Sequence, residues 1–277
     1  MRALTRTGLG FLLAGLLAAC GGDESTPSNS TPTPSTETAT TGTVRGIVRL
    51  AEGAELPRYP ENPVVPTANR PPIPETCTPP SDADAQPVQL GEGRGLAGLL
   101  VALSEFEGTP PHEPVTHELN IDDCRLSPRL LAATRGDTLH ITNNTDYPFL
   151  PDLGSGLMQA LLHETSRDLE MDRGGVRSLT CGFAAPCGRA EIVTLYHPLH
   201  TLSEDGGVFV IENVPAGEGI HVSAWHPLFR EVNETIEVTA GETTEVELVL
   251  SPAPMPTPAP PAPERDGPAE DDPSQLF

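Results

Sequence analysis

Several small groups of residues have types and spacings that could do chemistry. His112-Glu113-Pro114-Val115-Thr116-His117 imitates the zinc-protease arrangement, in which two histidines four apart share one helix face and a glutamate acts as base. Here the spacing is one residue too long. Pro110, Pro111 and Pro114 also forbid the helix, because proline lacks an amide donor and clashes with the preceding turn. His197-Pro198-Leu199-His200, with Glu204 and Asp205 just behind, has metal-ligand types; the preferred reading is a turn at a domain junction. Ser155, between Gly154 and Gly156, lacks the spacing of a nucleophile elbow. His140 falls inside a strand pattern and reads as a half-buried sheet residue. Trp225 and His226 stand together. Tryptophan is suited to stacking on a sugar or anchoring an interface, but core packing is the expected role and ligand binding the rival. Tyr196, Phe209 and Phe229 read as core. No catalytic residue, metal ligand or cofactor is assigned, and the chain reads as a non-enzyme.

Composition narrows the partners. The 277 residues carry 39 acidic side chains against 16 basic ones, a formal net charge of −23. Every basic residue is Arg. Such a surface excludes nucleic acid as a partner, because phosphate binding needs a basic face. It also opposes electrostatic docking on anionic lipid. The absence of Lys removes a Lys-based phosphate loop and Schiff-base chemistry.

The N-terminus speaks of location. Arg2 and Arg6 precede a short apolar stretch over residues 8–19, too short for a bilayer-spanning helix of ~20 residues and suited to a signal peptide over 1–19. It ends in Leu17-Ala18-Ala19-Cys20-Gly21. This resembles the lipobox of bacterial lipoproteins, which implies cleavage before Cys20 and lipidation of that residue. Two or more acyl chains anchor stably. The membrane, reached through this lipid, is therefore one expected partner. Gly21 in place of Asp implies sorting to the outer membrane. Residues 20–42 are nearly all small and polar, with no apolar period to offset the entropy of ordering, and read as a disordered tether. Residues 251–277 hold nine prolines and a run of acids and read as a disordered tail.

Between these ends, short apolar runs alternate with Gly, Pro, Asn and Asp. That is the mark of an all-β sandwich or barrel. Strands are expected over 43–50, 96–104, 115–121, 129–134, 137–143, 189–195, 207–212, 220–225, 232–239 and 243–250. Ala240-Gly241-Glu242 reads as a hairpin turn between the last two. Only 155–167 suggests a helix. The segment 55–87 holds ten prolines and reads as a long surface excursion. With Cys20 assigned to lipid, Cys77, Cys124, Cys181 and Cys187 remain. An even count in an exported chain suggests two disulfides, with a thiolate metal site as the rival. Three pairings are open; the preferred one joins Cys181 to Cys187 around Pro186 and leaves Cys77 with Cys124.

Two stretches resemble known families. Thr201, then Asp205-Gly206-Gly207-Val208-Phe209, Asn213-Val214-Pro215-Ala216-Gly217 and Ala224-Trp225-His226 resemble the carboxypeptidase regulatory-like domain. That resemblance implies a small, non-catalytic prealbumin-like β-sandwich over 197–250. Cys124-Arg125-Leu126-Ser127-Pro128, Gly136-Asp137-Thr138-Leu139, Asn144-Thr145-Asp146, Cys181 and Tyr196-His197-Pro198 resemble a cupredoxin-like domain. It implies a Greek-key sandwich over 43–196. A copper member needs a histidine soon after the Asn-x-Asp strand and another soon after the cysteine. Here the first place reads Tyr147-Pro148-Phe149-Leu150 and the second Gly182-Phe183-Ala184-Ala185-Pro186, so the copper site is expected to be absent.

The expectation is thus an all-β chain with a degenerate cupredoxin-like Greek-key sandwich followed by a small prealbumin-like one. Its role would be non-catalytic binding or structure at the envelope, with a protein or a glycan as partner. Carbohydrate binding is the first alternative and copper binding or electron transfer the second.

Overall fold

The computed structural model describes residues 40–59, 75–78, 86–154, 159–181 and 187–254. Cys20, Ser155, most of the expected tether and tail, and the start of the expected helix lie outside them. The described chain is all β, as expected, with no α-helix.

One sandwich is built by strands from both ends of the described chain. β1 (Thr41–Leu50) lies between β14 (Val208–Pro215), antiparallel to it, and β17 (Thr243–Leu250), parallel to it. Facing them is a four-stranded sheet in the order β13 (His200–Leu202), β4 (Leu100–Ser104), β15 (Gly217–Trp225), β16 (Val232–Val238). A two-stranded ribbon of β2 (Gln89–Leu90) and β3 (Leu96–Ala97) leads into β4. The alternation seen in sequence now has its cause. Val44, Val48, Phe209, Ile211, Val222 and Leu248 point into one core, while Arg45, Glu245 and Glu247 face outward.

The other sandwich uses the middle of the chain. One sheet has the order β10 (Thr165–Glu170), β8 (Thr138–Asn143), β5 (Thr116–Asp122), β6 (Arg125–Ser127). The second has the order β7 (Leu130–Thr134), β12 (Arg189–Leu195), β11 (Gly175–Cys181), β9 (Pro151–Asp152). Leu119, Ile121, Leu139 and Ile141 from one sheet meet Leu131, Leu179 and Ile192 from the other.

The two sandwiches meet along a narrow seam. Leu100 and Ala102 on β4 pack against Leu130 on β7 and Val193 on β12, with Ala132, Leu195, Leu202 and Trp225 around them. β4 and β12 are therefore buried on both faces. Their near-continuous apolar runs, Leu99-Leu100-Val101-Ala102-Leu103 and Ile192-Val193, follow from that.

Three expectations are corrected. The division at residue 196 does not follow the sheets, since β1 and β4 pair with strands of the C-terminal sandwich. The cause is ladder pairing over a long separation, of which local sequence carries no trace. The 155–167 helix is not formed over its described part. Leu161 is buried and bridges Phe149, Glu164 has φ 52°, and Thr165 opens β10. Finally, the turn at 240–242 is not a hairpin. Glu242 N–H does bond Thr239 O at 3.1 Å, but β16 and β17 belong to different sheets. The Gly206-Gly207 turn likewise carries the chain between sheets. Gly207 has φ 81°, and a Cβ there would overlap the Val48 carbonyl and the Leu96 amide, so only glycine fits.

Candidate functional site at the seam

Five of the histidines singled out in sequence, His112, His117, His197, His200 and His226, gather at the two ends of the seam. At one end stands Asp137, which is 1 % exposed. It closes the Thr134–Asp137 turn between β7 and β8, where Gly136 takes φ 100° and Asp137 N–H bonds Thr134 O. Its carboxylate is saturated. Oδ1 accepts from His112 Nε2 at 2.6 Å and Val115 N at 3.0 Å; Oδ2 accepts from His117 Nε2 at 2.8 Å and Thr134 N at 2.8 Å. Burial alone would raise its pKa. The hydrogen bonds from His117, Val115, Thr134 and His112 outweigh that and hold it at about 2.

His112-to-His117 is thus neither a helix nor a zinc motif. It is an extended run whose two rings converge on one carboxylate. Thr134 links this cluster to the next. Its hydroxyl lies 3.0 Å from His200 Nε2. Burial pushes His200 down to about 4, with His197, His117 and His112 adding to the shift and Asp137 opposing it. His197 is also lowered by burial. Its ring meets Phe106 edge-on at 4.9 Å, and its buried Nδ1 has no hydrogen-bond partner.

At the other end of the seam stands Glu191, also 1 % exposed. Ser178 Oγ donates to it at 2.8 Å, and Arg189 Nε bonds its second oxygen. Arg189 lies 5.9 Å from the centre of the Tyr59 ring. Burial raises the Tyr59 hydroxyl to about 12; Glu191 adds to this, and Arg189 and Arg129 oppose it. Tyr59 in turn lies 6.3 Å from His226, whose ring is 6.5 Å from Trp225.

Trp225 is half-buried and packs into the seam. His226 is 1 % exposed, and its Nδ1 accepts from Leu228 N at 3.2 Å. Burial holds it neutral with a pKa of about 4, Arg129 contributing. Both residues therefore sit in packing positions. Phe209 and Phe229 are core residues, but Tyr196 is not: it is 72 % exposed. A Cβ at Gly174 would collide with its ring, so the ring rests on that glycine. Arg135 lies 6.0 Å from the ring centre and also lines an open cleft of about 380 Å³ with Gly136, Glu170 and Asp172. His140, half-buried on β8, bonds Asp168 Oδ1 at 2.5 Å, which raises its pKa.

The cysteines pair as preferred. Cys77 bridges Cys124 (Cα–Cα 5.7 Å) and Cys181 bridges Cys187 (5.4 Å). The first bridge fixes the Pro-rich excursion to the middle sandwich, helped by Thr78 N–H on Asp123 Oδ1 at 2.7 Å.

Asp137, Glu191 and Tyr59 were not named as functional candidates in sequence. Glu191 had a readable signal, a lone acid inside the apolar run Ala190-Glu191-Ile192-Val193. Asp137 entered only as part of the Gly136-Asp137-Thr138-Leu139 landmark.

No family model matches the chain, and no curated protein matches it. Among solved structures it is similar to cupredoxins. An amicyanin mutant with Cu(I) is 18 % identical, over 29 % of this chain and 82 % of that one, with a TM-score of 0.27. A purple cupredoxin from Nitrosopumilus maritimus is 16 % identical, over 28 % of this chain and 98 % of that one, at 0.26. A reduced amicyanin mutant is 16 % identical, over 34 % and 99 %, at 0.26.

The residues present do not fit a blue-copper ion, which requires a cysteine thiolate. The Cys181 sulfur is bonded to Cys187. Phe149 is wholly buried, with Tyr147 5.9 Å away, in the core that contains both disulfides. Among the described residues, no three His, Cys, Asp or Glu side chains could hold a metal ion together.

Asp137→Asn keeps the shape of the side chain but swaps one acceptor oxygen for a donor facing two donors. The expected loss of stability is ~2–4 kcal/mol, read as a lower urea midpoint with an unchanged slope.

Proposed function

We propose that this chain is a non-catalytic envelope lipoprotein, a cupredoxin-like sandwich without a copper site joined to a prealbumin-like one, which binds or braces a partner outside the cytoplasm. The observation that carries the reading is the replacement of thiolate chemistry by a disulfide. Cys181 is tied to Cys187, and Phe149 fills the neighbouring core. Two disulfides also suit an oxidising compartment. Anchoring rests on Leu17-Ala18-Ala19-Cys20.

Two measurements test it. Cys20→Ala should move the protein from the membrane fraction to the soluble one; continued membrane retention would count against the lipid anchor. Adding copper to the purified, oxidised protein should give no intense visible thiolate-to-copper band. A stoichiometric coloured complex would restore the electron-transfer reading.

A glycan-binding reading is favoured by one observation. Tyr196, not Trp225, is the exposed aromatic. It stands on Gly174 beside the cleft of Arg135, Glu170 and Asp172, which supplies donors and acceptors for hydroxyl groups. A stacked pyranose predicts that neutral oligosaccharides (cellohexaose, chitohexaose) bind the protein in calorimetry, that Tyr196→Ala weakens binding about tenfold or more, and that Tyr196→Trp preserves it. Equal binding by Tyr196→Ala would remove this reading.

A further inference from the structure

We propose that the seam between the two sandwiches is an acid-released joint, in which protonation of the buried His197, His200 and His226 at its ends parts the sandwiches while each keeps its own core. Geometry is the first support. The fully apolar part of the seam is small, with Leu100, Ala102, Leu130 and Val193 as its buried members, whereas each sandwich has a much larger core. Polar contacts at the two ends therefore carry much of the closure.

The second support is where those contacts fall. Two connections pass directly from one sandwich to the other, residues 105–115 from β4 to β5 and residues 196–199 from β12 to β13, while the Cys77–Cys124 bridge ties the β1–β2 segment to the middle sandwich as a third link that would stay intact on opening. Both connections pass the Thr134–Asp137 turn. His112 and Phe106 come from the first connection and His197 from the second, and His117 and His200 lie just beyond them. Four imidazoles thus meet where the chain bends from one sandwich to the other. A fifth, His226, lies beside Trp225 at the opposite end.

The third support is charge. The ionisable groups facing His200 are His197 from its own connection, Asp137 from the β7–β8 turn, and His112 and His117 from the other side. Asp137 already holds four donors, so it offers no free acceptor to a new cation. Those around His226 are Arg129 and, through Tyr59, Arg189 and Glu191. A proton on His200 or His226 therefore enters a buried site, opposed first by that burial and then by His197 at one end and Arg129 at the other, with Asp137 favouring it only in part at His200.

The direction follows from linkage. His200 and His226 are held at about 4 in the closed chain, against 6.5 when free. A released ring binds protons more readily than a closed one. Closure is thus fully supported above pH 6.5 and loses that support as the pH falls from 6.5 to about 4. Asp137, held at about 2, stays ionised through this window and does not drive the change.

Trp225, the single tryptophan, lies in the seam and reports on it. The full chain is titrated from pH 7.5 to 4 while Trp225 emission, radius of gyration by X-ray scattering, and far-ultraviolet circular dichroism are followed. The expected result is a red shift and a larger radius with the β signal intact. In the variant carrying His197→Gln and His200→Gln, which cannot take up the protons, the midpoint should move to lower pH. Should that variant not fold, His226→Gln gives the same test at the other end. Three results would overturn the proposal: no change in Trp225 emission or radius down to pH 4, loss of the β signal in the same step, or a midpoint that the histidine substitutions do not move.

Discussion

Two strands, β4 and β12, are each buried on both faces, and the architecture depends on that double burial. A strand with one dry face needs one partner layer. These two need two, and each finds its second in the other. The outward residues of β4 and β12 meet across the seam, so four sheets stack through the middle of the molecule. Burying a side chain such as Leu100 or Val193 there contributes on the order of 1.5–3 kcal/mol. The contribution is real but local, because only a few residues share it.

The ends of the seam show what happens where apolar area runs out. Asp137 and Glu191 are both almost fully buried, yet each is surrounded by donors. A buried carboxylate without such donors would cost several kcal/mol. With them it fixes geometry: Asp137 sets the positions of two histidines and two backbone amides from three separate segments. Removing the acid would release all four, so its effect reaches further than one side chain. His200 and His226 pack at these ends while neutral, and this makes the joint sensitive to the solvent in a way that the apolar cores are not.

Strands were legible in sequence either by alternation where one face is wet or by a near-continuous apolar run where both are dry. Residues 189–195 and 243–250 carry the expected boundaries, and β8 and β15 nearly so. β10 and β11 were missed because their inward positions are poorly apolar; Arg177, for example, points toward Met171 and bonds its sulfur at 3.4 Å. Turn chemistry was readable but its meaning was not. Gly241 and Gly207 mark tight reversals in sequence, yet a reversal within one sheet and a passage between two sheets use the same residues. The site was less legible than the fold. His112, His117, His197 and His200 were noticed by type, but Asp137, which unites the first pair, joins them only through pairing of distant strands. Trp225 packs as expected, whereas Tyr196, read as core, is exposed, because the seam covers one and not the other.

The parallel pairing of β1 with β17 has a mechanical side. Thr43 lies beside Thr243 and Leu50 beside Leu250, so the folded body is entered at one end of this ladder and left at the other. Eight paired residues at ~3.3 Å each put these points roughly 25 Å apart. A pull between the segments before β1 and after β17 would therefore load the whole ladder in shear, with its hydrogen bonds stretched together rather than peeled one at a time. A body held by one end and tugged by the other would resist along the direction in which it is strongest.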